Sequence, residues 1–112
     1  MKNKKNILRL VLVLFVALGM QAFGQITPLG DSYTNSAHPA ANYGSAPLLY
    51  VNGDTETTYI QFNLASIPEG ATVSQATLKL YVNGVTTAGS FNVDYVNGSW
   101  SESTITHNLA PA

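Results

Sequence analysis

The sequence predicts an all-β fold, an antiparallel β-sandwich, and two observations support this prediction. Apolar residues recur at every second position in several short segments, whereas no window shows an apolar repeat of 3.6 residues. Three Asn-Gly pairs, a dipeptide typical of tight turns, separate these segments and begin at Asn52, Asn83 and Asn97. Short strands with one apolar face favour a sandwich over alternating strands and helices.

Two segments have the clearest strand pattern, residues 58–64 and residues 75–83. The first places three apolar side chains on one face, and the second places four: Ile60, Phe62 and Leu64, then Ala76, Leu78, Leu80 and Val82. Val73 is out of phase with the second set, which predicts a β-bulge near Ser74 and Gln75. Shorter strand candidates are residues 31–34, 47–51 and 90–96, with a possible sixth strand at 104–106.

The connector between the two clearest strands contains Pro68 and Gly70, which prevent a long helix. We expect Ile67 in this connector to fill the end of the core. The number of predicted strands is low, because a sandwich normally has about seven or more. We therefore expect an incomplete sandwich with open strand edges, whose missing C-terminal strands belong to the same polypeptide.

The first 24 residues have the pattern of a secretory signal peptide. A basic start ends at Arg9, an apolar run covers residues 10–20, and the small residues Ala22 and Gly24 suit cleavage before Gln25. A membrane-spanning helix is the alternative, but this run would cover roughly 16 Å of a bilayer core of about 30 Å. We predict a signal peptide over 1–24 and a secreted β-sandwich module over 25–112.

The charge of the chain is divided between these two parts. The first nine residues hold four of the five bases. The remainder holds one base, Lys79, and all six acids, which gives a formal charge of −5. Such a domain has no basic surface for nucleic acid or for an anionic membrane, so we expect neither nucleic-acid binding nor membrane insertion of the mature chain. The absence of Cys excludes disulfides and Cys-type zinc sites.

Several motifs follow one another in a recognisable order. They are DSY at 31–33, NYG at 42–44, LYV at 49–51, YIQFNL at 59–64, IPEGATV at 67–73, ATLKLYV at 76–82 and WSESTIT at 100–106. This order resembles the DNRLRE-type domain, also described as carbohydrate-binding module family 96. The resemblance implies a jelly-roll-like sandwich, non-catalytic, attached to larger extracellular or surface proteins of bacteria. The chain departs from the family pattern at His107 and Leu109, where Trp and Asn are common.

Carbohydrate recognition needs aromatic rings displayed outward beside polar groups. Tyr59 and Gln61 lie on the outward phase of one predicted strand, and Lys79 and Tyr81 on that of the other. If these strands are neighbours, the four side chains form one platform. Alternatively, the tyrosines stabilise the sheet as cross-strand pairs or are covered by a second sheet. Trp100 is either a sugar-stacking lid or a plug at the end of the core.

The acidic residues do not predict an enzyme. A glycosidase needs two carboxylates flanking a cleft, whereas Asp54 and Glu56 lie in an Asn-Gly turn and are expected to be solvated. Glu102 is expected to bond to backbone or to nearby hydroxyls. The sequence predicts no cofactor, with one exception. Calcium is a candidate ion for binding at Asp31 and Asn42, whose oxygen atoms suit a loop site.

His38 and His107 have no metal-binding spacing, and no nucleophile motif accompanies them. The sequence therefore predicts a non-catalytic module that binds a polysaccharide. A neutral polysaccharide is favoured over a polyanionic one, because one lysine is a poor receptor for a polyanion. The alternative is a structural or adhesive spacer with no ligand.

Overall fold

The structure, a computed structural model, describes residues 8–16 and 21–112, with side chains described from Gly24 onward. It contains five strands and one short 3₁₀ turn: β1 (Leu8–Val16), β2 (Gln21–Ile26), β3 (Pro28–Asn35), β4 (Glu56–Phe62), β5 (Val73–Val82) and the turn His107–Leu109. No α-helix occurs in these described ranges, so the all-β prediction is confirmed.

The strands form two antiparallel sheets. One sheet has three strands in the order β2-β1-β5, and the other consists of β3 and β4. In the first sheet Leu12 lies opposite Leu78, and in the second Tyr33 lies opposite Thr58. Antiparallel pairing is therefore confirmed for every strand contact that the structure describes.

The bulge predicted in β5 is confirmed by its register against β1. Phe15 pairs with Gln75, and the next residue, Val16, pairs with Val73. Ser74 is therefore the extra residue on the β5 side. The bulge accounts for the change of phase between Val73 and the apolar residues further along the strand.

The three shorter predicted segments beyond residue 46 do not form strands. Residues 47–51 end at an isolated bridge between Asn52 and Glu56, which flanks a turn with Gly53 at a φ of 49°. Residues 90–96 find no strand partner among the described residues. Residues 104–106 follow a turn, because the amides of Thr104 and Ile105 both donate to the carbonyl of Ser101. An apolar alternation does not make a strand without a partner for its backbone groups.

Ile67 belongs to an apolar core cluster of the described residues, as predicted. Ile26 is its buried centre, and it packs against Phe62, Ile67 and Ala71. Leu64 was expected on the same face as Phe62, but it is 52% exposed. It lies beyond the end of β4, where the Asn63 side chain accepts a hydrogen bond from the Ala65 amide and turns the chain.

The face of β5 that was expected to be buried is partly open. Leu78 is 36% exposed and Val82 is 43% exposed. The prediction that Leu78 and Val82 are core residues is therefore wrong for the described part of the chain. The described residues leave this face of β5 partly uncovered.

Strand β1 and most of β2 lie within the predicted signal peptide, and the rest of that prediction, residues 1–7 and 17–20, lies outside the described residues. Cleavage before Gln25 stays a prediction. In the described ranges, no helix has the length and apolar character needed to cross a bilayer.

Candidate functional site

The centre of β3 is buried on both of its faces. Ser32 and Thr34 point to one side and Tyr33 to the other, and all three are at most 5% exposed. The Tyr33 ring stacks on Tyr43 at 4.2 Å and meets the edge of Tyr50 at 4.9 Å. Burial above all, followed by Tyr43, Glu56 and Tyr50, raises the pKa of Tyr33 to about 12. This neutral aromatic cluster therefore packs the loop of residues 36–55, to which Tyr43 and Tyr50 belong, against β3.

One amide side chain joins two loops that are distant in sequence. Asn42 Nδ2 donates to the carbonyl oxygens of Glu102, at 2.8 Å, and Ile105, at 2.7 Å. Its Oδ1 accepts a hydrogen bond from the Gly44 amide at 3.2 Å. Asn42, expected as a calcium ligand, thus has a structural role in holding the segment 100–106 against residues 42–44.

Glu102 bonds to the backbone, as the sequence predicted. Its Oε1 accepts a hydrogen bond from the Asp31 amide at 3.0 Å. Partial burial and, secondly, the nearby negative charge of Glu102 raise the pKa of the Asp31 carboxyl. The structure therefore brings both predicted calcium residues, Asp31 and Asn42, against Glu102. The described residues contain no group of three His, Cys, Asp or Glu side chains that could hold a metal.

The predicted carbohydrate-binding residues fall into two separate groups. Tyr59 meets Trp100 edge-on at a ring distance of 5.9 Å, and both residues are half-buried. Gln61 is exposed two residues further along β4. The other two residues, Lys79 and Tyr81, are exposed on β5.

A shared platform of Tyr59 and Tyr81 required β4 and β5 to be neighbours. These strands belong to different sheets, so that condition is not met. The edge-on packing of Trp100 against Tyr59 favours a plug at the end of the core over an open sugar-stacking lid.

Glu56 corrects a prediction about the acidic turn. It was expected to be solvated together with Asp54, but it is 4% exposed, and Asn35 Nδ2 donates to its Oε1 at 3.1 Å. Asp54 is exposed, as expected. The difference arises because Glu56 is the first residue of β4 and its side chain turns toward β3, where Asn35 is its register partner.

A cleft of about 1030 Å³ lies beside Glu56, between residues 51–58 and residues 82–92. Residues 51–58 contribute mainly amide, hydroxyl and carboxyl groups. Residues 82–92 contribute apolar side chains, among them Val82, Val85 and Phe91, together with the polar side chains of Thr86, Thr87, Ser90 and Asn92. Sequence reasoning missed this cleft, because residues 90–96 were expected to be a paired strand and the two walls are about thirty residues apart.

Comparison with known families identifies the chain as a binding module. The sequence model of carbohydrate-binding module family 96 matches residues 22–112. The chain belongs to this family, and the resemblance carried by its motifs is confirmed. No curated protein and no solved structure matched the chain.

Proposed function

We propose that this protein is a secreted, non-catalytic module that binds a neutral polysaccharide and is part of a larger extracellular or surface protein. The match to carbohydrate-binding module family 96 over residues 22–112 carries this proposal. The charge supports a neutral ligand, since Lys79 is the one base after Arg9. A polyanionic glycan would require a complementary positive surface.

The use of the carboxylates supports binding rather than hydrolysis. Glycoside hydrolysis requires two carboxyl groups that face each other across the scissile bond. Glu56 accepts a hydrogen bond from Asn35, and Glu102 accepts one from the Asp31 amide. Both therefore serve the packing of the fold. We expect no release of reducing sugar from any polysaccharide that the chain binds.

The function is tested by affinity electrophoresis of the full chain in gels that contain soluble polysaccharides. Galactomannan, mixed-linkage β-glucan and hydroxyethylcellulose serve as neutral probes, and polygalacturonate serves as the polyanion. We expect retardation by at least one neutral probe, unchanged by added salt, and none by polygalacturonate. Serum albumin is the non-binding control. A chain that migrates freely in every gel overturns the proposal.

The alternative is a structural or adhesive spacer with no ligand. One observation favours it, namely that Tyr59 and Tyr81 lie in different sheets and that Tyr59 packs against Trp100. The affinity electrophoresis described above distinguishes the two functions, because no polysaccharide should retard a spacer.

Calcium binding at Asp31 is a separate proposal, supported by its proximity to Glu102. Hard oxygen ligands favour this ion, and binding to the folded state alone would raise the thermal midpoint. We expect a higher melting temperature in excess calcium than in chelator, and a smaller difference for Asp31→Asn. Identical melting curves of the wild-type chain in calcium and chelator contradict a calcium site.

A further inference from the structure

We propose that the glycan binds in the cleft between residues 51–58 and residues 82–92, with Phe91 as the ring on which a sugar stacks. This inference rests on the proposed function and adds the site and its main contact. Neither Tyr59 nor Tyr81, the aromatic residues that the strand pattern favoured, is among the described residues that line this cleft.

The size of the cleft suits part of a polymer. Its volume of about 1030 Å³ slightly exceeds the roughly 300–1,000 Å³ typical of sites for small ligands. It is open to solvent, so a chain can enter and leave at its ends. A cleft of this kind is better suited to a stretch of polysaccharide than to one enclosed monosaccharide.

The lining of the cleft combines apolar and hydrogen-bonding side chains, as a sugar ring combines apolar faces with hydroxyl groups. A pyranose presents apolar CH groups on its faces and hydroxyl groups around its edge. On one wall, Phe91 is 44% exposed and Val85 is 52% exposed. The apolar part of this wall is therefore available to a ligand. An aromatic face stacked on CH groups buries a large area at a low cost in side-chain entropy.

Both walls supply hydrogen-bonding groups, and those on residues 51–58 have the better-defined support. Asn52, Thr55 and Thr57 line the wall formed by residues 51–58, and all three are exposed. Their amide and hydroxyl groups both donate and accept, which matches sugar hydroxyls. Neighbouring residues of this wall are held in place by hydrogen bonds. Glu56 is buried and accepts one from Asn35, and the Thr58 hydroxyl donates to the carbonyl of Tyr50 at 2.8 Å.

The charge of the cleft selects against polyanions. Asp54 and Glu56 line it, and none of the described residues that line it is Lys or Arg. A uronate chain would meet these two carboxyl groups without a Lys or Arg among the described lining residues. A neutral glycan meets acceptors for its hydroxyl groups.

The test measures binding of four variants of the full chain to the neutral polysaccharide that retards the wild type. Phe91→Ala removes the ring, and Phe91→Leu keeps an apolar side chain without a stacking face. Tyr95→Ala is the matched control, because Tyr95 is 90% exposed and does not line the cleft. Tyr59→Ala tests the surface favoured by the strand pattern. Thermal melting of each variant shows that it is folded.

We expect about a tenfold loss of affinity for Phe91→Ala, since single aromatic anchors account for much of the binding energy of a site. Phe91→Leu should lose nearly as much, and Tyr95→Ala should bind like the wild type. If a folded Phe91→Ala chain binds with wild-type affinity, the cleft is not the binding site. The same conclusion follows if only Tyr59→Ala loses affinity. A wild-type chain that binds no glycan instead overturns the proposed function, so the two failures are distinct.

Discussion

Gly44 is a residue at which the loop packing leaves no space for a side chain. A Cβ atom added there would collide with the backbone carbonyl of Glu102 and lie 2.9 Å from its Cγ. The same carbonyl accepts the hydrogen bond from Asn42. The close approach of residues 42–44 to the segment 100–106 therefore depends on Gly44 and Asn42 together.

We expect Gly44→Ala to destabilise the fold by about 3 kcal/mol or more, at the upper end of overpacking costs, because backbone atoms cannot rotate away. Gly89→Ala is the matched control, since no atom lies within 4 Å of a Cβ at that position. Its free energy of unfolding should change by less than about 0.5 kcal/mol. Urea unfolding measures both, and equal midpoints for the two variants would show that the loops are not in contact.

Asp31 makes stability depend on pH in a direction that its environment determines. Partial burial and the charge of Glu102 raise the pKa of Asp31 above its ordinary value of 3.8. The folded state therefore retains this proton more strongly than the unfolded state, and stability falls as pH rises from 3.8 through the raised pKa. Above that window the loss is complete and constant.

Asp31→Asn should accordingly be more stable than the wild type at neutral pH and equally stable below pH 3.8. Urea unfolding at the two pH values measures this difference. Asp54→Asn, which removes an exposed carboxylate from the turn before β4, controls for the change in net charge. A stability difference of Asp31→Asn that is the same at both pH values would contradict the assignment.

At the level of elements, the sequence predicted correctly those strands that combine an alternating apolar pattern with a neighbouring strand to pair with. Strands β4 and β5 and the bulge at Ser74 follow from alternation and its change of phase. Residues 90–96 alternate as well and residues 47–51 form a short apolar run, but neither segment forms a strand in the described structure. Pairing depends on the rest of the fold, which a local pattern does not contain.

The candidate site was less predictable for the same reason. The strand pattern placed Tyr81 outward, and it is exposed. The calcium site predicted at Asp31 and Asn42 stays a prediction. The role of Asn42 depends on carbonyls about sixty residues away. The cleft at Phe91 requires two distant segments to meet. Neither juxtaposition has a local signal in the sequence.

The connector between β4 and β5 contributes to the core through one side chain. Ile67 packs against the buried Ile26, whereas Leu64, three residues earlier, is 52% exposed. We expect Ile67→Ala to cost about 2 kcal/mol, at the low end for truncation of an isoleucine because Ile67 is half-buried. Leu64→Ala should cost less than about 0.5 kcal/mol. Thermal and urea unfolding compare the two, and equal losses would mean that Ile67 does not fill the core.

At the scale of the whole molecule, export and sheet pairing involve the same segment. Strand β1 is part of the predicted signal peptide, and it is the one described partner of β5. Cleavage before Gln25 would remove β1 and leave both edges of β5 without a described partner. Ile26 would remain, so the core contact with Ile67 would be retained. The mature module would thus keep this core contact and expose a ten-residue strand.

An exposed strand of this kind pairs readily with another chain. We therefore expect residues 25–112, produced alone, to form oligomers in size-exclusion chromatography and to bind a hydrophobic dye. Leu78→Lys places a charge on the partly open apolar face of β5 and should increase the monomer fraction, because charged residues oppose edge-to-edge association. Thr72→Lys, which adds the same charge just before β5 begins, is the control and should have a smaller effect. A monomeric 25–112 chain that melts cooperatively would instead show that β5 is covered by residues within the mature module.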